Sequence, residues 1–402
     1  MQFQWLDLTI PFVAAIIGYV TNVAAVRMMF QPLDFVGVPP FLGWQGIIPR
    51  NARTLARKST RLITDQLLNL KGLFASFDAN GFAGSHMSGV LDQLTDQVIK
   101  EIAEKRGGAQ WQQLPDPVKQ QVRMMIRAEV EKVVVDLLAD MGENIEEILD
   151  IENIVVEAVT ADKALMGNMF QTVGDAEFRF IKISGLYFGF VFGLFQLAFW
   201  LFYPAWWSLP LAGFFVGYAT NWLALKLIFE PAEPKKYGPF VFHGLFHKRQ
   251  QQVAHAFAHK IAGEVINADN MVAHMTSGPG GAKLMAIIEK HIGAMVDRYK
   301  TNPMAAGFVP AGEWDAIRAE LLERIRAELP ARGGFLHVFT SKSVDVYQEL
   351  FDRMTVLDAE SFEGVLRPAF KQDEWKLIIV GAALGMAAGG GQVMYMLGDK
   401  VT

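Results

Sequence analysis

The chain has 402 residues, 51% of them hydrophobic and only 20% charged, with a mean hydropathy of +0.21, and a soluble enzyme of this length would need more charge to cover its surface. The absence of cysteine excludes disulfides, thiolate nucleophiles, iron–sulfur clusters and sulfur-ligated zinc. The net charge of −5 argues against nucleic acid as the main partner, because phosphates demand a basic surface.

A bilayer core of roughly 30 Å takes about 20 apolar residues as helix, and four stretches qualify. They are Leu6 to Phe30, Ile183 to Tyr203, Leu209 to Phe229 and Trp375 to Leu397. Met1 to Asp7 carries no Lys or Arg, and Thr21, Asn22 and Arg27 interrupt the run that follows, so the first stretch reads as a retained anchor and not a signal peptide. The fourth is the weakest, because Gly389, Gly390 and Gly391 lower its helix propensity. Only Pro204 to Ser208 separates the second and third, with Trp206 and Trp207 suited to a membrane interface. The fold class expected is an all-α integral membrane protein with soluble helical segments at 31–182 and 230–374.

Four spans put both soluble segments on one side and both termini on the other. Close to the spans, the segment side carries Arg27, Arg50, Arg53, Arg57, Lys58, Arg61, Arg179, Lys182, Lys226, Lys235, Lys236, Lys248, Arg249, Lys371 and Lys376, against Lys400 alone on the opposite side. The positive-inside rule then makes the segments cytoplasmic.

The chain also repeats itself. Gly18-Tyr19-Val20-Thr21-Asn22 recurs as Gly217-Tyr218-Ala219-Thr220-Asn221, 199 positions on, and at that offset Pro11, Ala25, Phe30, Pro32, Pro40 and Phe41 meet identical residues while Arg27 meets Lys226. At an offset of 196, Gly185, Gly189, Gly193 and Gln196 fall on Gly381, Gly385, Gly389 and Gln392. Each half therefore reads as span, loop, helical segment, span, a parallel duplication.

This pattern, with Gly46-Ile47-Ile48-Pro49-Arg50 after the loop, resembles the bacterial membrane family known as domain of unknown function 445, the YheB/YjiN-like proteins. The resemblance covers nearly the whole chain, is sharpest at 11–61 and returns in degraded form at 210–260, where Phe246-His247-Lys248 replaces Ile48-Pro49-Arg50. It implies membrane placement and no particular activity.

Between the spans the periodicity is helical. After Asp116-Pro117, one apolar stripe runs through Val118, Val122, Met125, Ile126, Val133, Leu137 and Met141. Trp314, Ile317, Leu321, Leu322, Ile325 and Leu329 form another, ended by Pro330 and Arg332-Gly333-Gly334. Each segment reads as a helical bundle or long hairpin. Charge is sorted along the first: 50–61 holds five cations and no anion, whereas 140–157 holds seven anions and no cation. The basic stretch is placed to meet anionic headgroups; the acidic one should stand away from the membrane or face a partner.

Thr21, Asn22, Thr220 and Asn221 lie inside spans, where an unsatisfied amide is costly. They read either as interhelical hydrogen bonding, with Gln196 and Gln392 as partners, or as a paired polar site for a substrate or headgroup. Arg27 and Lys226, near the span ends, are anchors or headgroup contacts. Gly185, Gly189 and Gly193, like Gly381, Gly385 and Gly389, make flat faces for packing within the chain or between copies. Arg50, Arg53, Arg57, Lys58, Arg61, Lys248 and Arg249 are the headgroup candidates. His255 and His259 share a helix face but align with Arg57 and Arg61, which favours lipid or acidic contact over a metal. Gly278 to Lys283 lacks phosphate-loop spacing and reads as a turn. No catalytic constellation stands out. The expectation is a membrane-anchored binding or scaffold protein of the cell envelope without cofactor, its partners being anionic lipid and a protein or second copy; a transporter, channel or lipid translocator is the alternative.

Overall fold

The computed structural model describes residues 5–38, 42–75, 77–104, 108, 111–203, 205–301, 309–310, 312–367 and 374–401. Pro40, Phe41, Pro204, Lys371 and the Lys400 side chain lie outside the described residues.

In chain order, α1 (Ile10–Phe30) leads to a small hairpin of β1 (Val36–Val38) and β2 (Leu42–Trp44). Then come α2 (Ile47–Leu62), α3 (Leu70–Ala75), α4 (Ala79–His86), α5 (Ser88–Val98), α6 (Asp116–Glu143), α7 (Ile145–Ile148), α8 (Ile151–Ala161), α9 (Lys163–Val173) and α10 (Asp175–Phe202). A similar order of elements follows: α11 (Ser208–Phe229), a hairpin of β3 (Lys235–Tyr237) and β4 (Phe240–Phe242), α12 (Leu245–Lys248) and α13 (Gln250–Lys260). It closes with α14 (Ala268–Met275), α15 (Gly278–Lys300), α16 (Trp314–Glu328), α17 (Phe335–Lys342), α18 (Val346–Val356), α19 (Ala359–Leu366) and α20 (Glu374–Val401). The described residues are all-α apart from two antiparallel hairpins.

Among the described residues four helices are long and apolar enough to cross a membrane: Asp7–Phe30, Asp175–Phe202, Ser208–Phe229 and Glu374–Met394. The glycine-rich fourth stretch is continuous helix. Trp206 sits in a turn between the second and third spans.

Contacts divide the chain into two compact units. The first comprises Met1–Ile63, Val155–Lys260 and Leu350–Thr402, the second Thr64–Ile154 and Ile261–Glu349. Each soluble segment thus contributes to both units, where periodicity alone suggested one bundle per segment.

In the first unit, α1 packs along α10 and α11 along α20, and the two pairs pack on each other. At one end of this cluster Ile10, Trp200 and Leu209 share a core. The outward residues are apolar as well, Phe12, Ile16, Phe195 and Phe202 among them, as hydrocarbon contact requires. Beside the spans, α9 packs on α2 and α13, and α19 packs on α2 and α12. The soluble helices of the two halves therefore interlock.

In the second unit one core joins both segments: Val133 of α6 meets Met295 and Val296 of α15 and Trp314, Ile317 and Leu321 of α16. The stripe along α6 buries Val133, Leu137 and Met141 but leaves Val118 and Met125 exposed. Gly278 to Lys283 is the first turn of α15 and not a separate turn, with Pro279 at a position where its missing N–H costs nothing.

Candidate functional site

Asn22 and Asn221 sit at equivalent levels of α1 and α11, 0% and 2% exposed. The Asn22 amide nitrogen donates to the Ile181 carbonyl of α10 at 2.6 Å, and that of Asn221 to the Leu377 carbonyl of α20 at 3.2 Å. Their partners are backbone carbonyls of the helix alongside, where the sequence had suggested Gln196 and Gln392. Thr21 and Thr220 turn back on their own helices, their hydroxyls donating to the carbonyls of Gly18 and Gly217 at 3.1 and 3.4 Å. An interhelical bond of this kind contributes about 1 kcal/mol in a membrane.

The glycine faces explain why those amides reach a neighbouring backbone. A Cβ on Gly18 would strike the Gly185 carbonyl oxygen, and one on Gly217 the Gly381 carbonyl oxygen. Gly189 lies against Ala14, Gly193 against Pro11, Gly385 against Gly213 and Gly389 against Leu209. The glycine faces are thus filled from within the chain. Gln196 and Gln392 are buried on the same helices.

At the other end of the spans, Arg27 is exposed and its Nε donates to Gln31 at 3.4 Å. Lys226 lies 5.0 Å over the Trp222 ring and 3.6 Å from Glu230. The next helix, α2, buries Ala52, Leu55 and Ala56 and exposes Arg50, Arg53, Arg57, Lys58 and Arg61. It is an amphipathic helix with a cationic outer face. Lys248 is exposed too. Arg249 is different: it turns inward onto Glu177 at 2.7 and 2.9 Å, and that carboxylate is 4% exposed. The pair joins α10 to the start of α13 and withdraws Arg249 from the headgroup-facing set.

A second buried polar group lies in α12. His247 lies 3.4 Å from Glu363 of α19, and Arg367 takes up the same carboxylate while resting over the Phe229 ring. Burial and the neighbouring His243 pull the His247 imidazole below its ordinary range, with Phe229's backbone opposing. His255 and His259 stack on each other along α13. Among the described residues no cluster of three or more His, Cys, Asp or Glu could hold a metal.

In the second unit the acidic stretch meets cations of the same chain. Asp140 accepts from Lys290 at 2.6 Å and lies 2.9 Å from His291, and Glu147 pairs with Lys283 at 2.6 Å. The Lys290 hydrogen bond holds the Asp140 carboxyl below its usual value. Nearby is an apolar cavity of about 90 Å³ between α5, α6, α15 and α16, lined by Val98, Val134, Ile288, Leu321 and Ile325 among others. The polar groups that reach it are engaged: Gln97 with Glu328, His291 with Asp140, Arg324 with Glu101.

The residues that make these joints, Asp7, Glu177, Glu363 and Arg367, were not legible as site residues. An acid at the first turn of a long apolar helix, as Glu177 is, is the one signal that could have drawn attention. Likewise Asp7, beside a span end, accepts the Trp200 indole N–H at 3.1 Å.

Residues 12–117 match the family described as protein of unknown function (DUF445). A UPF0754 membrane protein of Shouchella clausii is 31% identical over 108 residues, 26% of this chain and 26% of the relative. The chain therefore aligns with about a quarter of that relative's length. No solved structure matches. The match takes in the first copy of the Gly-Tyr-x-Thr-Asn motif and leaves the second, at 210–260, outside, a narrower reach than the repeat suggested. The chain is a membrane protein by its four apolar helices, and its first span, first hairpin and α2 are similar to DUF445.

Proposed function

We propose that this chain is an integral protein of the bacterial inner membrane that works by binding, as a scaffold of the cell envelope, and not as an enzyme. The observation that carries this reading is α2: an amphipathic helix that begins close behind the first span and turns five cations outward with no anion among them. Each cation near an anionic surface contributes about 1 kcal/mol. The basic residues near the span ends support cytoplasmic soluble segments, with both termini outside. Matching hairpins, matching span pairs and equivalent asparagine bonds support a tandem duplication as the origin of the two halves. The packed setting of Asn22 and Asn221 favours a packing role over a transport site.

Amide hydrogen exchange of the full chain in nanodiscs tests this reading. Residues 47–62 should exchange more slowly with anionic than with zwitterionic lipid, and Arg53→Glu/Arg57→Glu should abolish the difference. Equal exchange in the two lipids would remove the lipid-binding role. A reporter fused after Thr402 should report from outside the cytoplasm.

A further inference from the structure

Each half carries a hairpin whose side chains are of the wrong kind for water. In the first, Val36 and Val38 are 63% and 67% exposed, with Phe35 beside them; in the second, Val241 is 57% exposed, next to Phe242. Exposed apolar clusters of this sort mark a contact surface, and the position of the hairpins says with what.

Both hairpins are tied to span ends. The Gly46 amide donates to the Pro32 carbonyl and the Gly244 amide to the Pro231 carbonyl, each at 2.9 Å, so the chain leaves the span, makes the hairpin and returns to the same place. Gly46 and Gly244 are pressed against the backbone of Phe30 and Phe229, too close for a Cβ. The Trp44 indole N–H donates to the Met28 carbonyl at 3.2 Å, fastening β2 to the last turn of α1. The Gln45 amide donates to the Leu33 carbonyl at 2.8 Å, and His243 lies 3.2 Å from the Ala232 carbonyl at the corresponding base. A three-residue strand is roughly 10 Å long, and the polar zone of a leaflet is about 5–8 Å thick. A hairpin fixed at the end of a span therefore stays within reach of the headgroup and upper acyl region. Lys235 and Lys236, exposed on β3, are suited to lipid phosphates.

We infer that the two hairpins are interfacial membrane anchors, with Phe35, Val36 and Val38 of the first and Val241 and Phe242 of the second inserted beside their spans at the headgroup boundary. This rests on the membrane reading of the four helices. The partner is the bilayer in which the spans sit, because both hairpins start and finish at span ends and expose hydrocarbon there, and the second adds Lys235 and Lys236.

The cysteine-free sequence permits single labels. Val36→Cys, Val241→Cys and, in the exposed middle of the second span, Phe195→Cys would each carry an environment-sensitive fluorophore in lipid vesicles. Labels at 36 and 241 should be quenched by lipids with a spin label high on the acyl chain and shielded from aqueous iodide; the label at 195 should respond to a deep spin label. Iodide quenching at 36 or 241, or shielding there from both iodide and lipid quenchers, overturns the anchor while a deep response at 195 keeps the spans in the membrane. No lipid quenching at 195 would overturn the membrane reading itself, and the anchor with it.

Discussion

Arg249 holds Glu177 through one guanidinium nitrogen, Nη1, which stands 2.7 Å from one carboxylate oxygen and 2.9 Å from the other across 72 residues of sequence. The carboxylate is almost wholly out of solvent, so the cation is what makes its charge tolerable there. Arg249→Met should destabilise the protein by on the order of 3 kcal/mol, the lower end for a broken buried pair because Arg249 keeps part of its surface. Arg249→Met/Glu177→Leu should recover much of the loss. Thermal unfolding in detergent measures both, and a double variant no more stable than Arg249→Met would show that the buried charge is not the cause.

Glycines of the fourth span should divide sharply. A Cβ on Gly385 would run into the Gly213 carbonyl, whereas one on Gly390 would meet nothing within 4 Å. Gly390→Ala should be neutral or stabilising by up to about 1 kcal/mol, the helix-propensity gain. Gly385→Ala should force α11 and α20 apart and lower the unfolding temperature. Equal effects would contradict the helix pairing.

Asn22→Ala removes the bond to Ile181 and should cost about 1 kcal/mol, the scale of interhelical hydrogen bonds in membranes. Asn221→Ala, with the longer bond, should cost less. Unfolding in mixed micelles reads the difference.

Acid should act in two windows. His247, held neutral by burial with a lowered pKa, stabilises the fold fully above its unfolded value of 6.5 and loses that contribution as pH falls toward the folded one. His243 and Arg367 discourage the proton, and Arg367 already takes up the Glu363 carboxylate beside it. His247→Gln should therefore flatten the stability profile just below pH 6.5. Asp140, also lowered, contributes fully above its unfolded value of 3.8 and loses that contribution as pH falls from there through its folded value. Asp140→Asn should therefore weaken acid sensitivity below pH 3.8. Stability measured against pH in each variant separates the two groups.

The apolar cavity of the second unit makes its lining sensitive. Leu321 is buried and already borders empty space, so Leu321→Ala enlarges a void instead of letting neighbours close in. The expected cost lies toward the upper end of roughly 2.7–5.0 kcal/mol. Hydrogen exchange should accelerate in α5, α6, α15 and α16; acceleration confined to the spans would contradict the location of the core.

The four spans, the helical character of the segments between them and the cationic run at 50–61 follow from the sequence alone, because hydropathy, periodicity and local charge are sums over neighbouring residues. The paired Thr-Asn and glycine positions were visible as a repeat for the same reason. Which helix receives each asparagine, and the joining of 64–154 with 261–349 around Trp314, were decided by tertiary packing. So was the turning of Arg249 inward while its basic neighbour Lys248 stays exposed. Those outcomes depend on surfaces brought together across more than a hundred residues, or 72 for Arg249 and Glu177. The two hairpins fell between these cases. Val36-Gly37-Val38 and Phe240-Val241-Phe242 are too short for a period to declare itself, and only closure of their bases onto Phe30 and Phe229 makes them hairpins at span ends.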